Sequence, residues 1–307
     1  MAVANRVEDL VCDFIQQTLK KWDDAPVSLA PDAEWQKLRT AGTELWLDTG
    51  DIDAAKKSLT AEFTALTTNN TLLNKEIQRG AYDETIAEAS AALKKAVPEI
   101  AEQELVLEIA FILNALHAQR LVNIFGLKVS VELHTDLALD LDASVAYGRR
   151  YHRINPEYFI VKVPLTPAGY LSARRLKADG IPINFTLGFS ARHNYVAARV
   201  AKVDYVNVFM GRLGAFVADN RLGDGSAIGE KTTLASQRAL IALRQSGEAP
   251  TKQIGASMRT GEQVPALAGL DVYTMPPGVA DGYREAPQEA VPPRIDEDPS
   301  VPLADGV

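Results

Sequence analysis

The sequence predicts an α/β fold in which eight parallel strands and their helices close into a (β/α)8 barrel. The chain has 307 residues, of which 47% are hydrophobic, so it can bury a core as one large domain or two ordinary ones. Short runs of β-branched and aromatic residues alternate with longer stretches of helical periodicity, the pattern of a parallel sheet built from βα units. About eight such runs occur, and this number favours a closed barrel over an open sheet.

The elements follow in order along the chain. A helix is predicted from about residue 5 to residue 22, because apolar residues recur there at helical spacing until an Asp-rich, proline-containing stretch interrupts them. Strands are predicted near Glu44–Asp48, Phe63–Thr67, Leu127–Glu132, Tyr158–Val163, Ile181–Thr186, Tyr205–Phe209, Lys252–Ala256 and Asp271–Tyr273. Helices are predicted over Asp83–Val97, Ile100–Asn123, Asp142–Arg153, Pro167–Ala178, Ala191–Lys202 and Gly229–Gln245.

The composition changes after Met275, where seven prolines recur among acidic and small residues. Such a segment is expected to be extended and flexible, with one short helical turn near Gly282–Ala290. The domain organisation predicted from these patterns is a helical extension over 1–40, a catalytic barrel over 41–275 and a proline-rich tail over 276–307. The segment 225–232 fits either a surface loop or the start of a helix.

Composition excludes several classes of function. The net charge of −8 argues against a nucleic-acid binder, which needs a basic surface. A single cysteine, Cys12, gives no disulfide framework, and the scattered histidines His117, His134, His152 and His193 form no metal-type pair, so no metal is expected. No glycine-rich turn follows an early strand, so no dinucleotide cofactor is expected either. Without a signal peptide or an apolar run of about 18 residues, we expect a soluble, cytoplasmic protein with no membrane contact.

One strand carries an unusual residue, Lys162, within the segment Tyr158–Pro164. Lysine is a poor strand residue and is costly to bury, because desolvation penalises a charged amine. Taken alone, the segment fits an edge-strand lysine that faces water. A lysine among β-branched neighbours also fits an amine nucleophile, which forms a Schiff base with a carbonyl substrate.

The residues that end the other strands favour the second interpretation. Active sites of barrels lie at the C-terminal ends of the strands, where several polar side chains would converge. They are Asp48, Asn69, Glu132, Asn184, Thr186, Asn207, Arg212, Ser257 and Arg259. Each alone has a structural explanation as a helix cap, a turn residue or a surface ion-pair partner. Their convergence on one barrel mouth with Lys162 is not expected by chance.

These residues predict a coherent carbon–carbon bond chemistry. A neutral Lys162 attacks a ketone and forms an imine, which acts as an electron sink for breaking the adjacent carbon–carbon bond. Asp48 can serve as the base on the β-hydroxyl, while Glu132 and Thr186 can hold a water for the proton transfers.

The substrate is predicted to carry an anionic group. Arg212 and Arg259 can bind a phosphate bidentately, and Ser257 can add a hydroxyl donor. An acidic protein would thereby bind an acidic substrate through a local basic pocket.

The same residues resemble those of a known family, the transaldolases. The ordered similarity covers roughly residues 43–275 and is carried by Leu45–Asp51, Leu66–Leu72, Val129–Glu132, Ile160–Thr166, Ile183–Ser190, Phe209–Leu213 and Ile254–Gln263. The resemblance implies a class I Schiff-base enzyme of the pentose phosphate pathway, built on a permuted (β/α)8 TIM barrel and needing no cofactor. It implies transfer of a dihydroxyacetone unit from fructose 6-phosphate to erythrose 4-phosphate or to similar sugar phosphates.

The resemblance also implies a role for each site residue. Lys162 would be the Schiff-base lysine, Asp48 the acid and base, and Glu132 with Thr186 the holders of the catalytic water. Substrate would be bound by Asn69, Asn184, Asn207, Phe209, Arg212, Ser257 and Arg259. A homodimer is expected only by analogy with other barrels.

Two departures from the family leave alternatives open. The family usually has proline where this chain has Asn70, which is expected to loosen that turn, and serine where it has Asn207, which reshapes the donor pocket. The alternatives are a fructose-6-phosphate aldolase, an enzyme for a different donor such as a sulfonated sugar, and a non-catalytic barrel that binds sugar phosphates. The aldolase branch tends to have tyrosine in place of Phe209 and lacks the carboxylate of Glu132, which favours the transferase.

Overall fold

A computed structural model describes residues 2–304 and 306 of the chain. Eight parallel strands close into a barrel in sequence order, which confirms the predicted fold. The strands are β1 Glu44–Asp48, β2 Phe63–Thr67, β3 Lys128–Glu132, β4 Phe159–Pro164, β5 Ile183–Thr186, β6 Tyr205–Phe209, β7 Lys252–Ala256 and β8 Val272–Met275. All eight coincide with the predicted runs to within two residues at each end.

Helices surround the barrel and connect its strands. Within the described residues they are α1 Ala2–Leu19, α2 Ala33–Thr40, α3 Ile52–Ser58, α4 Asn70–Gln78, α5 Asp83–Ala96, α6 Glu102–Phe125, α7 Leu141–Ile154, α8 Pro167–Ala178, α9 Ala191–Ala201, α10 Met210–Asp219, α11 Ile228–Gln245, α12 Gln263–Ala266 and α13 Pro277–Arg284. The helices α2, α3, α4, α10 and α12 were not predicted, since they are short. The segment 225–232 contains the start of α11.

Side-chain alternation along the strands separates two packed layers. A buried cluster inside the barrel comprises Trp46, Ala65, Ile160, Ile254, Ala256 and Val272. Residues of the opposite parity, such as Leu47, Val161 and Phe185, face outward and pack in the larger core beneath the helices. Asp48, Thr67, Lys162 and Thr274 each stand two positions beyond a member of the inner cluster, so they have the parity that points into the barrel at its C-terminal mouth.

The chain beyond the last strand contacts the barrel. Helix α13 buries Tyr283 against Trp35 of α2, with ring centroids 5.0 Å apart. This helix lies N-terminal to the predicted turn at Gly282–Ala290 and overlaps it by three residues. Further along, the backbone N–H of Arg294 donates to the carbonyl of Ala268 at 2.7 Å. The division into extension, barrel and flexible tail stays a prediction.

One helix, α6, is long and apolar enough to cross a membrane by length and composition alone. Two-thirds of its apolar stretch, 67%, is buried in the protein, as in a core helix.

The buried residues of α6 include His117, which is 2% exposed and whose Nδ1 lies 2.7 Å from the hydroxyl of Tyr82. Burial and the nearby Arg120 guanidinium lower the pKa of His117 to about 4.

The low pKa of His117 predicts a loss of stability in acid. Because the folded protein disfavours the imidazolium, this stabilisation is complete above pH 6.5 and is lost as pH falls through about 4. The pKa difference corresponds to about 3 kcal/mol of unfolding free energy. Urea unfolding of wild type and His117→Asn at pH 7 and pH 4.5 should show a smaller pH dependence in the variant. His193 is exposed, so His193→Asn serves as control. An equal change in unfolding free energy between pH 7 and pH 4.5 in all three proteins would contradict the prediction.

Candidate active site

Strand register brings the predicted catalytic residues together at the C-terminal mouth. Glu132 at the end of β3 pairs with Lys162 on β4, and Lys162 pairs in turn with Asn184 on β5. Asp48 at the end of β1 pairs with Thr67 on β2. All five have the parity that points into the barrel, so their side chains share one site.

Lys162 is buried rather than exposed on an edge, since it is 6% exposed and lies in a closed barrel. Its Nζ donates to the backbone carbonyl of Thr68 at 3.2 Å and lies 3.5 Å from Oε1 of Glu132. A buried amine with a carboxylate at this distance can transfer a proton to that carboxylate. The site therefore provides what amine nucleophilic chemistry requires.

Asp48 receives its main contact from the neighbouring strand. The Thr67 hydroxyl donates to Oδ1 of Asp48 at 2.7 Å and lies 2.6 Å from the Thr274 hydroxyl of β8. Burial raises the pKa of Asp48, and the charge of Lys162 partly offsets that effect. The helix cap considered for Asp48 is formed instead by Asp51, which accepts from the Ala54 backbone N–H at 2.9 Å.

Glu132 is oriented by the residue that departs from the family pattern. Its Oε2 accepts from the backbone N–H of Asn70 at 3.2 Å and from Nδ2 of Asn70 at 3.3 Å. The turn at Asn70 is therefore tied to β3 rather than loosened. Thr186, on β5, is 1% exposed, and its Oγ1 has no hydrogen-bond partner within the described part of the chain.

The three predicted asparagines differ in what holds them. Asn69 caps α4, with its Oδ1 accepting from the Leu72 backbone N–H at 2.9 Å. Asn184 donates from Nδ2 to the hydroxyl of Ser130 at 3.0 Å, and Nδ2 of Asn207 donates to Oδ1 of Asn184 at 3.4 Å. The carboxamides of Asn184 and Asn207 are thus fixed relative to each other, while Nδ2 of Asn69 donates to no group in the described part of the chain.

The predicted anion-binding residues lie at the rim of the mouth. Arg212, at the start of α10, stacks over the Phe209 ring with its Cζ 5.3 Å from the centroid. Ser257 follows β7 with a φ of 58°, and its carbonyl accepts from the Gly211 backbone N–H at 2.9 Å. The Arg259 side chain packs so closely on Gly211 that a Cβ there would lie 2.3 Å from its Nε.

A cavity of about 110 Å³ joins most of these residues. It is lined by Asp48, Thr67, Asn69, Lys162, Asn184, Asn207, Phe209, Arg212, Ala256, Ser257 and Thr274. Arg259 lines a separate, larger groove of about 640 Å³ that also contacts Glu297 and Pro299 of the tail. Glu132 and Thr186 do not line the small cavity. Glu132 contacts Lys162, which does line it.

Four residues that support this site were not assigned to it from the sequence. They are Thr67 and Thr274 beside Asp48, Ser130 beside Asn184, and Asn70 beside Glu132. For the strand residues a signal existed, because Thr67 and Thr274 stand two positions after the inward-facing Ala65 and Val272. No group of three or more metal-type ligands occurs among the described residues.

The chain is similar to known proteins over most of its length. A family model described as Transaldolase/Fructose-6-phosphate aldolase matches residues 45–301. A probable transaldolase of Thermus thermophilus is 33% identical over 239 residues, covering 77% of this chain and 88% of the relative. Transaldolases of Prochlorococcus marinus and Xanthomonas euvesicatoria are each 28% identical, covering 82% and 83% of this chain and 76% and 81% of the relatives. This chain therefore belongs to the transaldolase/fructose-6-phosphate aldolase family and is an enzyme that transfers aldehyde or ketone residues.

Proposed function

We propose that this enzyme is a transaldolase that moves a dihydroxyacetone unit between sugar phosphates through a Schiff base on Lys162. The donor is of the fructose 6-phosphate type and the acceptor of the erythrose 4-phosphate type, as in the pentose phosphate pathway. The observation that carries the proposal is the buried Lys162 amine, which lies 3.5 Å from Glu132 and lines the same cavity as Asp48. A cytoplasmic location and a homodimer stay predictions.

The first half of the reaction forms the imine. Lys162 loses a proton to a neighbouring carboxylate, and its amine attacks the ketone carbon to give a carbinolamine. Loss of hydroxide from that carbon requires a proton donor, which Glu132 supplies through a water held with the Thr186 hydroxyl. One water leaves, and the carbon is then doubly bonded to the lysine nitrogen.

The second half breaks and remakes a carbon–carbon bond. Asp48 accepts the proton of the β-hydroxyl, the adjacent carbon–carbon bond breaks towards the iminium, and an aldose phosphate leaves as an aldehyde. The enamine that remains on Lys162 attacks the acceptor aldehyde, whose oxygen receives the proton from Asp48. Addition of water to the new imine releases the product ketose and restores the amine.

The asparagines and arginines would hold the substrate during these steps. Nδ2 of Asn69 and the carboxamide of Asn184 line the cavity and are placed to bind hydroxyls of the dihydroxyacetone part. Arg212 and Ser257 line the same cavity, and Arg259 lies beside them across Gly211. Guanidinium groups at this rim favour a phosphate at the far end of the substrate.

Two observations favour the transferase over its alternatives. Phe209 lines the cavity where the aldolase branch tends to have tyrosine, so this position offers no phenol to protonate the enamine and release free dihydroxyacetone. Glu132, which that branch lacks, contacts Lys162. A sulfonated donor stays an alternative because Asn207 replaces serine, and the silent barrel is disfavoured by the retained lysine and carboxylates.

Product analysis tests this function. Fructose 6-phosphate with erythrose 4-phosphate is expected to yield glyceraldehyde 3-phosphate and a seven-carbon ketose phosphate in equal amounts, measured by carbon-13 NMR. Fructose 6-phosphate alone should release free dihydroxyacetone at less than about 1% of that rate, since the enamine lacks a proton donor. Release at a comparable rate would identify an aldolase, and turnover only of a sulfonated donor would identify a changed anion specificity.

A further inference from the structure

Asn70 occupies a position that the family resemblance assigns to proline. It is the first residue of α4, directly after the Asn69 cap, and this is a position where proline is readily accommodated in helices. Proline has no backbone N–H and no side-chain amide. Asn70 therefore brings two donor groups to a place where relatives with proline have none.

Both donor groups of Asn70 are used at the site. The backbone N–H and Nδ2 both donate to Oε2 of Glu132, at 3.2 and 3.3 Å, and Nδ2 also donates to the Leu133 carbonyl at 3.2 Å. Its Oδ1 accepts from Nδ2 of Asn114 at 3.3 Å, and Asn114 is itself anchored to the Ala110 carbonyl at 3.0 Å. Asn114 lies on α6 and is 7% exposed, so α6 fixes the orientation of the Asn70 amide.

The two oxygens of Glu132 consequently face different partners. Oε2 is engaged by Asn70, whereas Oε1 faces the Lys162 amine at 3.5 Å. A direct ammonium–carboxylate hydrogen bond would be about 2.8 Å long. We propose that Asn70 is a positioning residue that holds Glu132 back from a tight ion pair with Lys162 and aims Oε1 at the reacting amine.

This arrangement has a chemical consequence for imine formation, and the inference rests on the proposed function. A tight ion pair would consume the carboxylate oxygen that must handle the catalytic water. Two donors on one oxygen stop the carboxylate from rotating, so the other oxygen keeps one position through carbinolamine formation and dehydration.

A graded series of variants tests the proposal. Asn70→Ala removes the side-chain donor and keeps the backbone N–H, while Asn70→Pro removes both. Asn69 has extended backbone angles, φ −155° and ψ 166°, which suit a residue before proline. We expect kcat to fall about tenfold in Asn70→Ala, which loses one hydrogen bond to Glu132, and about a hundredfold in Asn70→Pro, which loses two. Each hydrogen bond to a charged group is worth roughly a factor of ten. The KM for fructose 6-phosphate should change by less than about twofold, since Asn70 does not line the substrate cavity.

A double-mutant cycle separates positioning from a general structural role. In a Glu132→Gln background, Asn70→Ala should lower kcat by less than about twofold further, because both changes act on one carboxylate. Asn74→Ala, an exposed asparagine on the same helix, is the matched control and should behave as wild type. Asn114→Ala, which removes the partner of the Asn70 amide, should lower kcat by a smaller factor than Asn70→Ala.

The outcomes distinguish this inference from the proposed function. If wild type is active and kcat of Asn70→Ala and Asn70→Pro is within about twofold of it, the role of Asn70 alone is overturned. The same holds if Asn70→Ala lowers kcat by the same factor in the Glu132→Gln background as in wild type. A folded wild type that forms no borohydride-reducible adduct with fructose 6-phosphate would instead overturn the proposed function. Thermal unfolding of each variant reports folding, and if the proline variant does not fold, the alanine variant in the cycle decides.

Discussion

Replacement of Lys162 by alanine is expected to abolish transfer, lowering kcat by at least about 10⁴-fold, because the only step that turns the ketone into an electron sink is lost. The remaining groups bind substrate and move protons, but they cannot stabilise a carbanion next to a neutral carbonyl. Steady-state assay with fructose 6-phosphate and erythrose 4-phosphate measures the loss.

Reduction of the Schiff base by borohydride tests the role of Lys162 directly, because it leaves a stable adduct on the lysine that reacted. Wild type incubated with fructose 6-phosphate and sodium borohydride should carry a reduced three-carbon adduct, which peptide mass spectrometry should locate on Lys162. The control Lys128→Ala, an exposed lysine at the start of neighbouring β3, should keep both activity and adduct. An adduct in Lys162→Ala, or a wild-type adduct on another lysine, would refute the assignment.

Replacement of Asp48 by asparagine is expected to lower kcat by roughly 10² to 10⁴-fold, because the β-hydroxyl loses its base. In wild type the Thr67 hydroxyl donates to Oδ1 of Asp48 at 2.7 Å. Oδ1 of asparagine can accept the same hydrogen bond, so the shape of the site is retained. Imine formation at Lys162 does not require Asp48. Borohydride should therefore trap a six-carbon adduct on Lys162 in this variant, where wild type gives a three-carbon adduct.

The same substitution is expected to stabilise the fold near neutral pH. The pKa of Asp48 is raised above its ordinary value of 3.8, mainly by burial, so the folded protein binds this proton more tightly than the unfolded chain does. Stability from this group is consequently greatest below pH 3.8 and falls as pH rises through the raised pKa. At pH 7.5 asparagine removes the cost of the buried charge, and the Tm should rise.

The pH dependence of that stabilisation provides the control. The difference in Tm between Asp48→Asn and wild type should shrink as pH falls through the raised pKa of Asp48, where its carboxylate becomes neutral. The exposed Asp53→Asn on α3 should leave both Tm and kcat unchanged. A lower Tm for Asp48→Asn at pH 7.5 would show that the attraction between Asp48 and Lys162 outweighs the burial cost.

The barrel strands were predictable because each is a short β-rich run bounded by turn residues. Short helices such as α3 and α4 were not, since helices of 7 and 9 residues depend on packing against the barrel and on caps such as Asp51 and Asn69. The order of elements thus follows from local sequence, whereas helices of fewer than about ten residues depend on tertiary contacts.

The site residues were predictable for a related reason. In a parallel barrel every strand ends at the same mouth, so polar residues at strand ends must converge even when they are far apart in the sequence. Asp48, Glu132 and Lys162 were identified in this way, and their parity along the strands agrees with the inner cluster. Their pairwise distances were not predictable, because these depend on the register between neighbouring strands.

What the sequence alone determined is therefore the barrel, the position of the lysine and the set of side chains at the mouth, all of which follow from periodicity and chain order. The way those groups are held depends on contacts that form when the chain folds. Asn70 contacts Glu132 across 62 residues of chain, and Thr67 meets Thr274 across 207 residues. Such contacts depend on which strands become neighbours when the barrel closes, and no local pattern encodes the hydrogen bonds that closure creates.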